Sequence, residues 1–263
     1  MTPEQRLSID GTLFHFTRTY ENLVGILEHD FKPRYCLENL RLGTHGRNAS
    51  EDQWAIPMVC FCDLRLSRIR EHIEEYGGYG IGLTKAWGAQ NSLFPLIYLH
   101  PESYSSELVG RTIVHLRRLK ELEDASGPSR STALITALEL VAMTKPYEGI
   151  SPKTGCLRRF YDEREWRYLP HLKQLDGQPD HLQALSAAEF ADAEMLSHMN
   201  DAIATLCPLQ FNPWDIVYLF VRDDQEILPL VERIRNIKQR YAEQEVTLLT
   251  TRIMSSSRIP LDF

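Results

Sequence analysis

The sequence predicts an α+β fold, a mixed or antiparallel sheet core of about seven strands with helices inserted between them. Three observations lead there. Short stretches at 11–17, 56–64, 79–85, 95–99, 161–170, 215–222 and 246–253 read as strands. Several segments between them carry apolar residues at helical spacing. No internal repeat, low-complexity run or linker divides the 263 residues, so a single domain over 1–263 is expected, with helical insertions at about 104–145 and 181–206.

Taken in order, residues 11–17 place Leu13, His15 and Thr17 on one strand face and Phe14 and Phe16 on the other. Thr19 can cap the helix that follows, whose apolar face is Leu23, Ile26 and Leu27; Pro33 closes this part. Residues 34–55, with Arg34, Glu38, Arg41, His45 and Arg47, read as a long irregular loop suited to a lid or binding role. The apolar strand 56–64 follows. Ser67 caps a helix carrying Ile69, Ile73 and Tyr76, and Gly77-Gly78 ends it. The strand 79–85 contains Gly80 and Gly82, whose spacing is not Gly-x-Gly-x-x-Gly; strand glycines of this kind allow close backbone approach. A strand at 95–99 precedes helices at 104–123 and 131–144, separated by Ser126-Gly127-Pro128-Ser129. Lys145–Gly149 reads as a turn. The alanine-rich helix 181–206 is expected to break near Ser186. A buried strand at 215–222, a helix at 225–242 with Pro229 in its first turns, and a last strand at 246–253 complete the chain.

Composition narrows the function. Hydrophobic content of 43% and charged content of 25% are those of an ordinary globular protein. No apolar run reaches the roughly 18 residues that span a bilayer, and the N-terminus lacks a signal-peptide pattern, so a cytoplasmic location is expected. The five cysteines are scattered, without a Cys-x-x-Cys pair, which argues for reduced thiols and against a disulfide framework or a metal site. Cys60 and Cys62 share one strand face. A formal charge of −7 argues against general binding to nucleic acid, although Arg111, Arg117, Arg118 and Lys120 form a local basic cluster.

The densest chemistry lies in Tyr161-Asp162-Glu163-Arg164-Glu165-Trp166-Arg167-Tyr168-Leu169-Pro170. In an extended strand Arg164, Trp166 and Tyr168 share one face, and Glu165 and Arg167 the other. An isolated pair of this kind is most often a solvated ion pair on an edge strand. Likewise, His15 alone is most often a core histidine with a satisfied hydrogen bond. Together they also suit a site in which a strand histidine and a strand glutamate hold one ligand.

Residues 13–30, with Leu13-Phe14-His15-Phe16-Thr17 and the helix carrying Leu23 and Ile26-Leu27, resemble the start of ADP-ribosyltransferase-like proteins. Over nearly its full length the chain resembles more closely the AbiGi-type abortive-infection family of bacterial phage resistance. The pieces that carry this are His15-Phe16-Thr17, Pro57-Met58-Val59-Cys60-Phe61-Cys62-Asp63, Tyr76-Gly77-Gly78-Tyr79-Gly80-Ile81-Gly82-Leu83, Lys85-x-Trp87, Glu163-x-Glu165-Trp166-Arg167, Asp215-Ile216-Val217-Tyr218 and Arg258-Ile259-Pro260-Leu261-Asp262-Phe263. The second resemblance implies phage defence, with a cognate toxin or phage protein as partner, since such proteins are labelled the antitoxin-like partner of a nucleotidyltransferase-like toxin.

The first resemblance implies an ADP-ribosyltransferase-like sheet core and NAD as substrate. In that superfamily a strand histidine holds the adenosine ribose, an aromatic stacks on nicotinamide and a strand glutamate grips the nicotinamide ribose. Carried onto this chain, these roles fall to His15 with Thr17, to Tyr79 or Tyr76, and to Glu165, with Glu163 in reserve two residues away on the same strand face. Arg167 or Lys85 would neutralise the pyrophosphate. A fixed carboxylate would stabilise the positive charge that builds on the ribose as the glycosidic bond breaks.

Two other classes stand beside this enzyme. One is a binding protein that restrains a toxin without catalysis. The other is a metal-dependent nuclease built on Glu165-Trp166-Arg167, which needs a second acidic ligand; Asp63 is the plausible one.

Overall fold

The computed structural model describes residues 11–39, 53–100, 102–112, 115, 139–140, 142–150, 155–170, 182 and 184–259. The chain is α+β with a mixed sheet and divides into two compact units. The first comprises Met1–Phe31, Cys60–Phe94 and Leu209–Phe263; the second comprises Lys32–Val59 and Pro95–Pro208. In chain order the strands are β1 (Thr12–Thr17), β2 (Arg34–Asn39), β3 (Gln53–Cys62), β4 (Tyr79–Thr84), β5 (Phe94–Pro95), β6 (Ile97–Leu99) and β7 (Thr144–Pro146). They continue as β8 (Gly149–Ile150), β9 (Leu157–Arg158), β10 (Glu165–Tyr168), β11 (Leu185–Ser186), β12 (Ile216–Val221) and β13 (Ile253–Ser255).

In the first unit the strand order is β13-β12-β4-β1, with the end of β3 beside β1 through Phe14 and Cys62. The β12–β13 pair is parallel and the other pairs are antiparallel. Thr12 to Thr17 pair in unbroken register with Thr84 to Tyr79. Gly80 and Gly82 leave room for the rings of Phe16 and Phe14, which a Cβ would meet within 3.0 Å. That is the close approach expected of strand glycines. Phe14, Cys62, Ile69, Phe220 and Ile259 pack together on one side of this sheet. Thr19 caps the helix Tyr20–His29 as expected, its side chain accepting from the Asn22 N–H.

The second unit holds the antiparallel β2–β3 pair, onto which β11 adds through Leu185 and Ala55. Its core gathers Tyr35, Ala55, Leu185, Met199, Ile203 and Cys207. The parallel pair β6–β7 and the antiparallel pair β8–β9 complete it.

Several expectations need correction. Residues 34–39 are strand, not irregular loop, because antiparallel pairing with β3 satisfies their backbone groups. Residues 53–55 likewise begin β3; Arg41, His45 and Arg47 lie outside the described residues. The stretch 246–253 is mainly the helix Glu243–Thr250, started by a Glu245 carboxylate that accepts from the Ala242 N–H. Only Ile253–Ser255 forms strand. The helix expected at 225–242 is a 3-10 turn, Asp224–Glu226, followed by Ile227–Ile237. Ser67 caps nothing; a 3-10 turn Leu66–Arg68 leads into the helix Arg70–Tyr76, which Gly77 ends at φ 116°. Within the stretch 181–206, expected as a helix, Leu185–Ser186 is strand, and two helices follow, Ala187–Ala191 and Ala193–Leu206, capped by the side chains of Ser186 and Asp192. Residues 104–112 are helical, whereas Arg117, Arg118 and Lys120 of the basic cluster lie outside the described residues. Residues 144–146, read as the end of a helix and the start of a turn, form β7.

Candidate functional site

The stretch 161–170 is not one strand. Phe160–Glu163 forms a 3-10 turn, and Arg164 takes a left-handed conformation at φ 44° before β10 begins at Glu165. Glu163 therefore does not share a strand face with Glu165, correcting that expectation. The reversal nonetheless brings both carboxylates to one cation. Lys145 on β7 donates to Glu163 Oε2 and to Glu165 Oε2, each at 2.7 Å. Arg167 donates through Nε to Glu165 Oε1 at 2.6 Å, through Nη2 to Glu38 Oε1 at 2.9 Å, and through Nη1 to the Ala142 carbonyl at 2.9 Å. Arg158 lies 3.4 Å from Glu163 Oε1.

Glu38, Arg167, Glu165, Lys145, Glu163 and Arg158 thus form a continuous chain of alternating charge, three carboxylates against three cations. Its centre is dry: Arg167 is 1% exposed and Glu165 7%. The alternation predicted within β10 is what allows this, since Glu165 and Arg167 project to the same side.

Burial alone would raise the Glu165 carboxyl, but Arg167 and Lys145 outweigh it and hold the group down to about 2. Burial raises Glu38, against the pull of Arg167. Burial opposes the charge on Lys145, yet Glu165 and Glu163 raise it above the usual lysine range. Cys36 is pushed up to about 11, chiefly by burial and then by Glu38, so its thiol stays protonated. The Tyr98 hydroxyl accepts from the Glu165 backbone N–H at 2.8 Å, and burial pushes it up to about 12. Glu165 is consequently a fixed anion with a cation on each oxygen.

The other predicted residues lie in the first unit. His15 Nδ1 donates to the Cys60 carbonyl at 2.8 Å, and its ring meets Phe31 edge-on at 5.2 Å and Phe61 at 5.6 Å. Burial lowers its pKa, the carbonyl bond partly offsetting this, so the imidazole is neutral near pH 7. Thr17 ends β1 opposite Tyr79. Tyr79 is buried and donates to Glu226 Oε1 at 2.7 Å, with the Arg222 guanidinium 5.2 Å from its ring centre. Tyr76 is exposed and lies against His72. Lys85 is paired with Asp63 at 2.6 Å, which engages both the expected pyrophosphate ligand and the acidic residue of the nuclease reading. Among the described residues, no group of three or more histidine, cysteine, aspartate or glutamate side chains could hold a metal ion.

Reasoning from sequence placed Glu163, Glu165 and Arg167 at the centre and missed Lys145, Arg158 and Tyr98 around them. The alternation of Tyr35 and Leu37 with Cys36 and Glu38 is a readable strand signal for Glu38. Nothing local to Lys145 announces its partners.

Residues 29–222 match a protein-family model described as "Putative abortive phage resistance protein AbiGi, antitoxin". The chain is also 28% identical over 259 residues to the abortive phage resistance protein AbiGi of Lactococcus lactis subsp. cremoris, across 89% of this chain and 99% of that protein. No solved structure matches it. The whole ionic chain lies inside the matched span; His15 and Thr17 precede it. Among the described residues, no helix is long and apolar enough to cross a membrane.

Proposed function

The chain belongs to the AbiGi family of abortive phage resistance proteins, and we propose that it acts there as an antitoxin, restraining a cognate toxin by binding it. The observation that carries this reading is the antitoxin description of a family model matching residues 29–222. The second unit supports it. Both oxygens of Glu165 are engaged by Arg167 and Lys145, so the most reactive-looking carboxylate of the sequence is committed to the fold. A formal charge of −7 suits a basic partner, whose encounter it would steer. The test is capture of the toxin on tagged chain from its own host, followed by co-expression of the captured protein. Growth is expected to recover with the wild type and with a folded Glu165→Gln variant. A variant that folds and still binds the toxin but no longer protects would move the reading to catalysis.

A second reading keeps an ADP-ribosyltransferase-like fold and activity, with NAD as substrate, His15, Thr17 and an aromatic at 76 or 79 as the binding side, and Glu165 with Glu163 as the catalytic side. One observation favours it: Glu165 is held ionised, as a carboxylate facing a developing oxocarbenium ion must be. Its test is nicotinamide release from NAD by wild type beside Glu165→Gln and His15→Ala. Equal, background release from all three removes it.

A further inference from the structure

The first unit contains a cavity of about 310 Å³ that neither reading uses. Its walls include Asp30, Phe211, Asn212, Trp214, Arg240 and Tyr241. Trp214 is 55% exposed and meets the Tyr241 ring edge-on at 6.1 Å, which leaves an indole face open. The Tyr241 hydroxyl donates to Asn212 Oδ1 at 3.3 Å and accepts from Arg240 Nη2 at 3.1 Å, so the polar wall is held in place. Asp215 is engaged by the Asn212 backbone N–H at 2.8 Å.

Lys238 supplies an independent observation. It is 3% exposed, and its ammonium lies 5.1 Å from the Phe211 ring centre and 6.0 Å from that of Tyr241. Among the described residues neither Lys238 nor Arg240 makes an ion pair, and neither does Asp30. Asp30 acts on Lys238 across space without forming an ion pair with it, so the cost of burying the ammonium is only partly met, and an anion brought to this cavity would relieve it further. Burial lowers the Lys238 pKa, with the Arg240 cation adding to this and Asp30 opposing it.

We propose that this cavity binds a nucleoside monophosphate, the base against Trp214 and the phosphate beside Arg240 with Lys238 behind it. Inorganic phosphate would leave most of 310 Å³ and the indole face unused. Asp30 can accept from ribose hydroxyls or a base N–H, and its charge opposes a longer phosphate chain. The same chemistry occurs in a free nucleotide and in the 5′-terminal nucleotide of a strand. The inference is independent of the antitoxin reading.

The test is calorimetric titration of the full chain with AMP, GMP, CMP and UMP, of inorganic phosphate, and of a 5′-phosphorylated single-stranded tetranucleotide. Saturable binding of a mononucleotide or of the tetranucleotide is expected, weakened about tenfold by Trp214→Ala, the loss of one stacked base. Arg240→Ala should weaken phosphorylated ligands and leave a nucleoside unchanged. Preference for the mononucleotide would assign the free species, and preference for the tetranucleotide a strand end; both uphold the site. No binding at millimolar concentration, phosphate binding as tightly as nucleotide, or binding indifferent to both substitutions in folded protein would overturn it. Toxin capture would survive any of those failures.

Discussion

Replacing Glu165 by Gln keeps the shape of the side chain and removes one charge from the middle of the ionic chain. Arg167 and Lys145 then share one anion fewer in a site where Arg167 is 1% exposed. The lowering of Glu165 from 4.5 to about 2 corresponds to roughly 3 kcal/mol of stabilisation. Breaking a buried pair by removing one partner costs about 3–5 kcal/mol, in agreement. For a chain of this size the melting temperature should fall by roughly 10 °C. A carboxyl depressed on folding contributes its full stabilisation above its unfolded value and loses it as pH falls through the folded one. The wild type should therefore lose stability between about pH 4.5 and pH 2, and that part of the acid limb should be absent from Glu165→Gln. Urea unfolding followed by circular dichroism at a series of pH values reads both effects. A variant melting within about 2 °C of the wild type, with an unchanged acid limb, would refute the structural assignment of Glu165. Loss of nicotinamide release in that same variant would place the residue in catalysis instead.

Other consequences are local. Gly77→Ala drives a Cβ into the Thr17 carbonyl oxygen at φ 116°, and should cost more than about 2 kcal/mol in chemical denaturation. Tyr79→Phe removes the donor to Glu226, a bond of 2.7 Å to a carboxylate, and should cost about 1–2 kcal/mol in the same assay. Lys238→Met removes a buried ammonium and should stabilise the ligand-free chain by about 1 kcal/mol at pH 7. Because the Lys238 pKa is lowered on folding, the wild type binds fewer protons than its unfolded chain at alkaline pH and gains stability as pH rises; this gain should be missing from the variant.

The strands of the first unit were legible because their pattern is local. Thr12–Thr17 and Tyr79–Thr84 carry large residues facing glycines across one register, and both read correctly from sequence. The misreadings arose where local preference and tertiary contact disagree. Val246 and Leu249 sit three apart on the buried face of a helix, although β-branched Val246, Thr247, Thr250 and Thr251 invited a strand. Thr144 read as the end of a helix and Lys145-Pro146 as the start of a turn, yet parallel pairing with Ile97–Leu99 makes all three strand.

The Glu-Trp-Arg stretch shows why a dense charge pattern is ambiguous between chemistry and architecture. A reactive carboxylate and a structural one have the same local sequence; they differ in what fills their lone pairs. Here the decisive partners lie far along the chain, Lys145 twenty positions before Glu165 and Glu38 on a different strand. Spacing within the stretch cannot reveal them. The resulting network joins β2, β7, β9 and β10 through charges that balance within the second unit. Such a network fixes the positions of strands more than it adds net stability, since the desolvation of each ion offsets much of the attraction. A protein that works by presenting a fixed surface to a partner has use for that rigidity. On the antitoxin reading, protection should therefore fail in two separable ways: through substitutions in the ionic network only where they unfold the chain, a folded Glu165→Gln variant still protecting, and through exposed contact residues with the melting temperature unchanged.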